Sequence, residues 1–355
     1  MFYHVRRPFW KFPHMHESNG GPASTPGEAT EPPPTVTAEA VPLSPFEKRI
    51  HSLFIGPGGL RPIWRLMLYL LLYETLHLLL GTILYFAEVP PIWWKLLVEL
   101  GFAVSAFAPA FLMAAIEGRR IGSYGLPRAG ALGKHFWLGG LWGLLSITAL
   151  LSALHLAGAF DFGHLALHGW LRPLKFALFW GAFFLLVGLY EEFLVRGYTQ
   201  FTLTQIAGFW PAAILLSLAF GALHLRNPGE NWAGIAGAVC IGFFFCLTLR
   251  RTGSLWFAVG FHCFWDWAQS FLFSVPDSGG MFPGHLMKAS LHGPRWLSGG
   301  SVGPEASVFL FVLIGLLWLL FDHIYPDVKN PNREDAGKTQ IAPAASVQHP
   351  SDARV

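Results

Sequence analysis

Residues 176–196 read FALFWGAFFLLVGLYEEFLVR, an uncharged run that ends in two carboxylates and a guanidinium. In a helix Glu192 and Arg196 are i,i+4 neighbours that can pair, whereas Glu191 points about 100° away. A charged side chain inside a bilayer is costly unless it is paired or faces water, so such groups mark functional sites. The stretch predicts a membrane helix with one neutralised carboxylate and one free to act. Taken alone, it also fits an ordinary charge cluster at a helix end.

The composition of the whole chain is that of a polytopic membrane protein. Of its 355 residues, 53% are hydrophobic and 13% are charged, whereas soluble domains carry about 25% charged residues. The net charge of +3 indicates no nucleic-acid partner, because the basic residues lie in short clusters between apolar runs. Cys240, Cys246 and Cys263 fall in apolar segments, and their spacing is that of neither a zinc ribbon nor a disulfide framework.

Two polar segments flank a single membrane domain. Residues 1–50 lack the apolar core of a signal peptide and include a linker rich in Pro, Gly, Ser and Thr, so we predict a disordered cytoplasmic tail and linker. Residues 326–355 are similarly polar and are predicted to be a second disordered cytoplasmic tail. We assign residues 51–325 to the membrane domain, with a motif-bearing core at about 136–273.

The fold class that the apolar pattern predicts is all-α, with about eight transmembrane helices, since a spanning helix needs about 20 apolar residues. The predicted spans are 63–87, 95–116, 136–157, 174–204, 210–225, 232–249, 254–273 and 306–324. With eight spans, most Lys and Arg residues of the short loops fall on one side. We therefore predict a multi-pass protein of the cell membrane with both termini in the cytoplasm.

Small side chains and one charge pair give further packing signals. Gly139 and Gly143 in the third span are four residues apart, as are Gly234, Ala238 and Gly242 in the sixth. Such spacing is typical of close helix contacts in membranes. Lys95 and Glu99 have the same i,i+4 spacing in the second span, so we expect them to form an ion pair.

Two more i,i+4 pairs of interest lie in later spans, namely Phe220 with His224 and His262 with Asp266. If the fourth and fifth spans form a straight hairpin, Glu191 and His224 both lie about 24 Å from its turn, side by side. His262 and Asp266 then lie about 12–18 Å from the same membrane face, within side-chain reach. We expect these four residues to converge inside the bilayer. Singly, His224 can be read as a helix cap, and His262 with Asp266 as a satisfied buried pair.

Such a group of side chains suits hydrolysis. A carboxylate beside a histidine can hold and deprotonate a water molecule, with or without a metal ion. A second histidine and a short polar side chain can stabilise the oxyanion of a tetrahedral intermediate. Other hydrolase motifs are missing or misplaced: there is no H-E-x-x-H, and the G-x-S-x-G around Ser301 lies in a Gly-rich loop without its strand–turn–helix context.

The three motifs, in this order and spacing, resemble those of the CAAX-protease and bacteriocin-processing family of intramembrane proteases. That family, also called the abortive-infection family, contains the type II CAAX prenyl endopeptidases. The motifs read EEFLVRG at 191–197, FGALH at 220–224 and HCFWD at 262–266. The resemblance covers roughly residues 136–273.

The resemblance implies roles for the six polar residues of the motifs. Glu191 and His224 would activate the water, with His262 and Asp266 as oxyanion-hole or ligand groups. Glu192 and Arg196 would be supporting charges. The third motif of the family more often ends in Asn, so Asp266 is a departure. Because an ionised Asp repels an oxyanion, Asp266 must either stay protonated or orient His262.

The sequence thus predicts an intramembrane endopeptidase that hydrolyses a peptide bond of a membrane-associated or lipidated protein, in contact with membrane lipid. The activity would be of the CAAX prenyl protease type. His224, His262 and Glu191 suit Zn²⁺, and a metal-free glutamate–histidine pair accounts for the same residues. One alternative is a catalytically idle membrane partner or regulator of another envelope protein. Another is a small transporter, which would be expected to show internal repeats that the sequence lacks.

Overall fold

The computed structural model describes residues 44–57 and 59–329, and the part from Arg49 onward is compact. Most described residues are helical. The α-helices are α1 (Pro45–Phe54), α2 (Pro62–Phe86), α3 (Pro91–Ile116), α4 (Lys134–Leu156), α5 (Leu171–Glu192), α6 (Gln200–Ala207), α7 (Phe209–Leu223), α8 (Trp232–Thr252), α9 (Trp256–Trp267), α10 (Arg295–Ser298) and α11 (Val308–Ile324). Two π-helical turns, Phe193–Thr199 and Ala268–Leu272, follow α5 and α9. The described strands are β1 (Ile55–Gly56), β2 (Gly59–Leu60), β3 (Phe160–Asp161) and β4 (Ser290–Leu291), which pair antiparallel as β1–β2 and β3–β4.

Each of the eight predicted spans is helical, and the all-α class is confirmed. Within the described residues, six helical segments are long and apolar enough to cross a membrane: Pro62–Phe86, Pro91–Ile116, Lys134–Leu156, Leu171–Ala207, Phe209–Arg226 and Trp232–Thr252. The seventh predicted span is α9 with its π turn, and the eighth is α11, which has 17 residues. The chain is a multi-pass membrane protein. The count of eight and the cytoplasmic termini stay predictions.

The two predicted tails lie mostly outside the described residues. Residues 45–50, which the sequence assigned to the N-terminal tail, belong to helix α1. Residues 326–329 are described and are not helical.

Local sequence signals account for several helix ends. Proline occupies the first turn of both α2 and α3, where its missing N–H leaves no helix hydrogen bond unmade. Asn231 caps α8 by accepting hydrogen bonds from the backbone N–H groups of Ala233 and Gly234 at 2.8 and 3.2 Å. Helix α8 ends at Thr252, and the Gly253 that follows has a φ of 69°, the left-handed conformation that glycine adopts readily.

Helices α4 and α9 pack backbone against backbone. A Cβ atom at Gly139 or Gly143 would lie 2.0 or 2.3 Å from a carbonyl oxygen of α9, and one at Gly260 would lie 2.0 Å from a carbonyl oxygen of α4. The predicted small-residue contact of the third span therefore exists, and its partner is α9. This contact fixes the position of the helix that carries His262.

Candidate active site

The first motif lies where α5 changes its hydrogen-bonding pattern. Glu191 and Glu192 are the last residues of α5, and the π turn that follows contains Gly197, whose φ of −83° and ψ of −110° are not helical. The second π turn begins two residues after Asp266. Such turns within helices are frequent at functional sites, because they redirect side chains that a regular helix would place elsewhere.

Glu192 and Arg196 form a fully buried ion pair, as their spacing predicts. Nη1 of Arg196 lies 2.9 Å from each carboxylate oxygen of Glu192, and both side chains are 0% exposed. Nε of Arg196 donates to the backbone carbonyl of Gly242 at 3.2 Å, and the guanidinium lies 4.5 Å from the ring centroid of Phe220. A Cβ atom at Gly242 would come within 2.6 Å of Nη2, so this glycine of the sixth span makes room for the guanidinium.

His262 is the residue on which the carboxylates of the site converge. Its Nδ1 lies 3.0 Å from Oε1 of Glu192. Its Nε2 lies 3.3 Å from Oδ2 of Asp266 and 3.8 Å from Oε2 of Glu191. The structure thus brings three predicted residues together and gives Glu192 a second partner that the sequence did not indicate. Since an ionised carboxylate can only accept, both ring nitrogens are placed to donate.

Glu191 faces a cavity of about 610 Å³, which His224, His262 and Asp266 also line. Its side chain is 22% exposed, and its Oε1 accepts a hydrogen bond from the Tyr190 hydroxyl at 3.0 Å. One carboxylate of the first motif is therefore buried in an ion pair, while the other is open to the cavity.

His224 follows the last residue of α7, in the 3₁₀ turn His224–Arg226. Its Nδ1 lies 2.8 Å from the carbonyl oxygen of Phe220. A carbonyl oxygen can only accept, so Nδ1 carries the hydrogen and Nε2 of the neutral ring keeps a lone pair. Among described residues, the ion-pair contact of Glu191 within 4.0 Å is with His262 and not with His224. A direct Glu191–His224 contact is therefore not formed, although both line one cavity.

Two acidic residues that the sequence did not single out also reach the cavity. Oxygens of Asp266, Asp277 and Glu305 lie within 4.8 Å of one another. Asp277 accepts from the Ser270 hydroxyl at 2.8 Å, and burial together with the Asp266 charge raises its pKa well above the usual value. The same two causes raise the pKa of Glu305 to about 7. Both residues lie in the glycine-containing segment between α9 and α11. Its sequence has no helical i,i+4 spacing that would have marked them as site residues.

The predicted zinc ligands can be tested by their separations. Zinc lies about 2.0–2.2 Å from nitrogen and oxygen ligands, so its ligand atoms lie within about 4 Å of one another. Glu191 and His262 meet this condition at 3.8 Å. Within the described chain, however, Asp266, Asp277 and Glu305 are the one set of three whose ligand atoms gather within 4.8 Å. The three-ligand set with His224 is not assembled here, so zinc stays a prediction and no step below passes through it.

Comparison with protein families gives one match. Residues 173–268 match the model described as "Rce1-like: Type II CAAX prenyl endopeptidase Rce1-like". No curated protein and no solved structure matches the chain significantly. The matched segment covers about a quarter of the chain and contains all three motifs. The match supports the family that the motifs suggested: residues 173–268 are similar to the Rce1-like domain of type II CAAX prenyl endopeptidases.

Proposed function

We propose that this protein is an intramembrane endopeptidase that hydrolyses a peptide bond of a membrane-associated or lipidated protein, using a water molecule activated by Glu191 and His224. One observation carries the proposal. Glu191 and Asp266 lie 3.8 and 3.3 Å from the same nitrogen of His262, in a cavity that His224 also lines. Ionisable groups at membrane depth are costly to keep, so their convergence supports chemistry over packing.

The proton acceptor in this proposal is the open carboxylate of Glu191. A water between Glu191 and Nε2 of His224 gives its proton to one of these groups as its oxygen attacks the carbonyl carbon of the substrate. When the tetrahedral intermediate collapses, the same proton passes to the leaving amine. The Tyr190 hydroxyl, 3.0 Å from Oε1, keeps Glu191 oriented.

His262 is the proposed donor to the developing oxyanion. Glu192 holds its Nδ1 and Asp266 lies beside its Nε2, so the ring cannot turn away from the cavity. A preorganised N–H that faces the oxyanion lowers the barrier most in a site that excludes water. Of the two roles that the sequence leaves open for Asp266, the 3.3 Å contact favours orientation of His262.

The test is cleavage of a membrane-anchored peptide by the purified full-length protein in detergent or liposomes. Glu191→Gln keeps the shape of the side chain and removes its basicity, so we expect the rate to fall by about 10²–10⁴-fold. His224→Ala should lose a comparable factor, and the double variant should be little worse than either single one.

Glu230→Gln is the matched control, because Glu230 lines the same cavity outside the motifs. It should cleave as the parent does. If Glu191→Gln cleaves at the parent rate, the mechanism is wrong. If the parent binds a membrane partner but cleaves nothing, the idle-partner alternative holds.

A further inference from the structure

Helix α1 has ten residues, and none of them is buried. An isolated helix shorter than about 12–15 residues is marginal in water, so most of its stability must come from packing of an amphipathic face. A reciprocal cap fixes the start of α1: the Ser44 N–H donates to Oε2 of Glu47 at 2.8 Å, and the Glu47 N–H donates to Oγ of Ser44 at 3.2 Å. Because this cap buries no apolar surface, the helix still needs a surface against which to pack.

One face of α1 is a continuous apolar stripe. At 100° per residue, Phe46, Ile50, Leu53 and Phe54 fall within an arc of about 100°. These residues are 70%, 44%, 57% and 39% exposed, so the described part of the chain leaves the stripe largely uncovered. The hydrophobic effect favours removal of such a stripe from water.

The rest of the helix surface is polar and mostly basic. Lys48 lies almost opposite the centre of the stripe, and Arg49 lies beside it. Both are exposed, and among described residues no carboxylate lies within 4.0 Å of either side-chain charge. By the same criterion the expected ion pair of Lys95 with Glu99 is not formed, but Lys95 lines the cavity. Helix α1 therefore presents two uncompensated positive charges next to an apolar stripe.

The start of α2 holds the last turn of α1 at the end of a membrane-spanning helix. The backbone N–H of Arg61 donates to the carbonyl of Phe54 at 2.8 Å, and Nε of Arg61 donates to the carbonyl of Ser52 at 2.8 Å. Nε1 of Trp64 donates to the carbonyl of Leu53 at 2.9 Å, and its ring centroid lies 4.6 Å from that of Phe54. Tryptophan at the end of a spanning helix favours the level of the lipid headgroups. Helix α1 is thus held where the headgroups meet the acyl chains.

We propose that α1 is an interfacial anchor that docks on anionic phospholipid headgroups, with its apolar stripe at the acyl boundary and Lys48 and Arg49 on the phosphate groups. An amphipathic helix with a basic polar face lies in the plane of the membrane interface, with its apolar face about 5–10 Å deep. Long basic side chains beside the stripe keep their charges in the headgroup layer while their stems cover apolar surface. The inference is independent of the proposed function, since no described residue of α1 lines the cavity.

The test compares the depth of two α1 positions in vesicles by fluorescence quenching. Full-length protein with Cys240→Ala receives one accessible cysteine, either Ile50→Cys in the stripe or Ser52→Cys on the opposite face. Cys246 and Cys263 are 0% and 5% exposed, so they stay unlabelled in the folded protein. Each variant is labelled with the fluorophore NBD and reconstituted into vesicles whose acyl chains carry a nitroxide quencher. The vesicles are phosphatidylcholine alone or an equal mixture with phosphatidylglycerol.

In the mixed vesicles we expect quenching at position 50 to be at least about twofold stronger than at position 52, because the stripe lies below the headgroups. Quenching at position 50 should be weaker in phosphatidylcholine alone. Adding Lys48→Gln and Arg49→Gln should remove this dependence on lipid charge. Anionic lipid favours each basic residue about fivefold, so the ratio of docked to undocked α1 in the mixed vesicles should fall by about 25-fold.

The control for general loss of positive charge is the double variant Arg128→Gln with Lys134→Gln, because both residues are exposed and lie outside α1. It should behave as the parent does. Equal quenching at positions 50 and 52 overturns the inference and would mean that protein, and not lipid, covers the stripe. Equal quenching in the two kinds of vesicle, or a lipid preference that survives the loss of Lys48 and Arg49, overturns the headgroup contact.

Discussion

Replacing Arg196 by methionine should destabilise the protein strongly, because it breaks a buried ion pair without opening a large cavity. Methionine keeps much of the length of the side chain and removes the guanidinium. The carboxylate of Glu192 would then keep His262 as a partner and lose Nη1 of Arg196, which is 2.9 Å from each of its oxygens.

The magnitude follows from the burial of the pair. Both side chains are 0% exposed, and Arg196 also donates to the Gly242 carbonyl at 3.2 Å. Removing one partner of such a pair typically costs about 3–5 kcal/mol. At about 2–4 °C per kcal/mol, the melting temperature should fall by roughly 6–20 °C.

A thiol-reactive fluorophore can follow this unfolding in detergent. Cys246 and Cys263 are 0% and 5% exposed, so they react only as the structure opens. Arg251→Met is the matched control. Nε of Arg251 lies 3.0 Å from Oδ1 of Asp322, but that carboxylate is 46% exposed, and a pair of this kind contributes at most about 1 kcal/mol.

The reasoning is refuted if Arg196→Met melts within about 2 °C of the parent protein, or no lower than Arg251→Met. Changing both Glu192 and Arg196 to glutamine should recover part of the lost stability, since neither charge is then left unpaired. A double variant less stable than Arg196→Met would show that His262 alone satisfies Glu192.

Three further outcomes are expected. Asp266→Asn should keep substantial cleavage activity, because its amide oxygen can still accept a hydrogen bond from His262. Complete loss of activity would instead show that catalysis requires the negative charge of Asp266. Native Glu305 holds its proton up to about pH 7 and unfolded glutamate only to about 4.5, so the stability of the parent should fall as the pH rises through this range. Glu305→Gln should therefore have a higher free energy of unfolding than the parent at pH 8, by no more than about 3 kcal/mol, but not at pH 5. An equal difference at both pH values would contradict the raised pKa. A reporter fused after Val355 should behave as cytoplasmic, whereas a signal from the opposite side would indicate an odd number of spans.

The parts of the site that the sequence predicted are those fixed by local geometry. Glu192 and Arg196 pair because four residues make one helical turn. The contact between Glu192 and His262, 70 residues apart, could not be derived in this way. It depends on how α9 crosses α5, and the glycine contact between α4 and α9 sets that crossing.

The straight-hairpin estimate placed Glu191 and His224 side by side, and here the sequence reasoning was incomplete. It assumed a regular helix from Glu191 to the turn, whereas the π turn with non-helical Gly197 lies between them. The assumption of straight, regular helices also put His262 nearer the membrane face than Glu191. In the structure Nε2 of His262 lies 3.8 Å from Oε2 of Glu191. Glu305 carried no signal at all, because an isolated acidic residue in a loop has no periodicity to interpret.

The backbone contact between α4 and α9 has a consequence for how this protein tolerates mutation. At Gly139 and Gly260 even the methyl group of alanine would lie 2.0 Å from a carbonyl oxygen of the facing helix, so the two helices would have to separate. In a saturation-mutagenesis map these positions would be as intolerant as Glu191. Protein abundance would distinguish the packing glycines from the catalytic residue. A glycine variant would be lost from the membrane, whereas Glu191→Gln would accumulate there without activity. Without that second measurement, residues that set the distance between helices would be mistaken for residues that do chemistry.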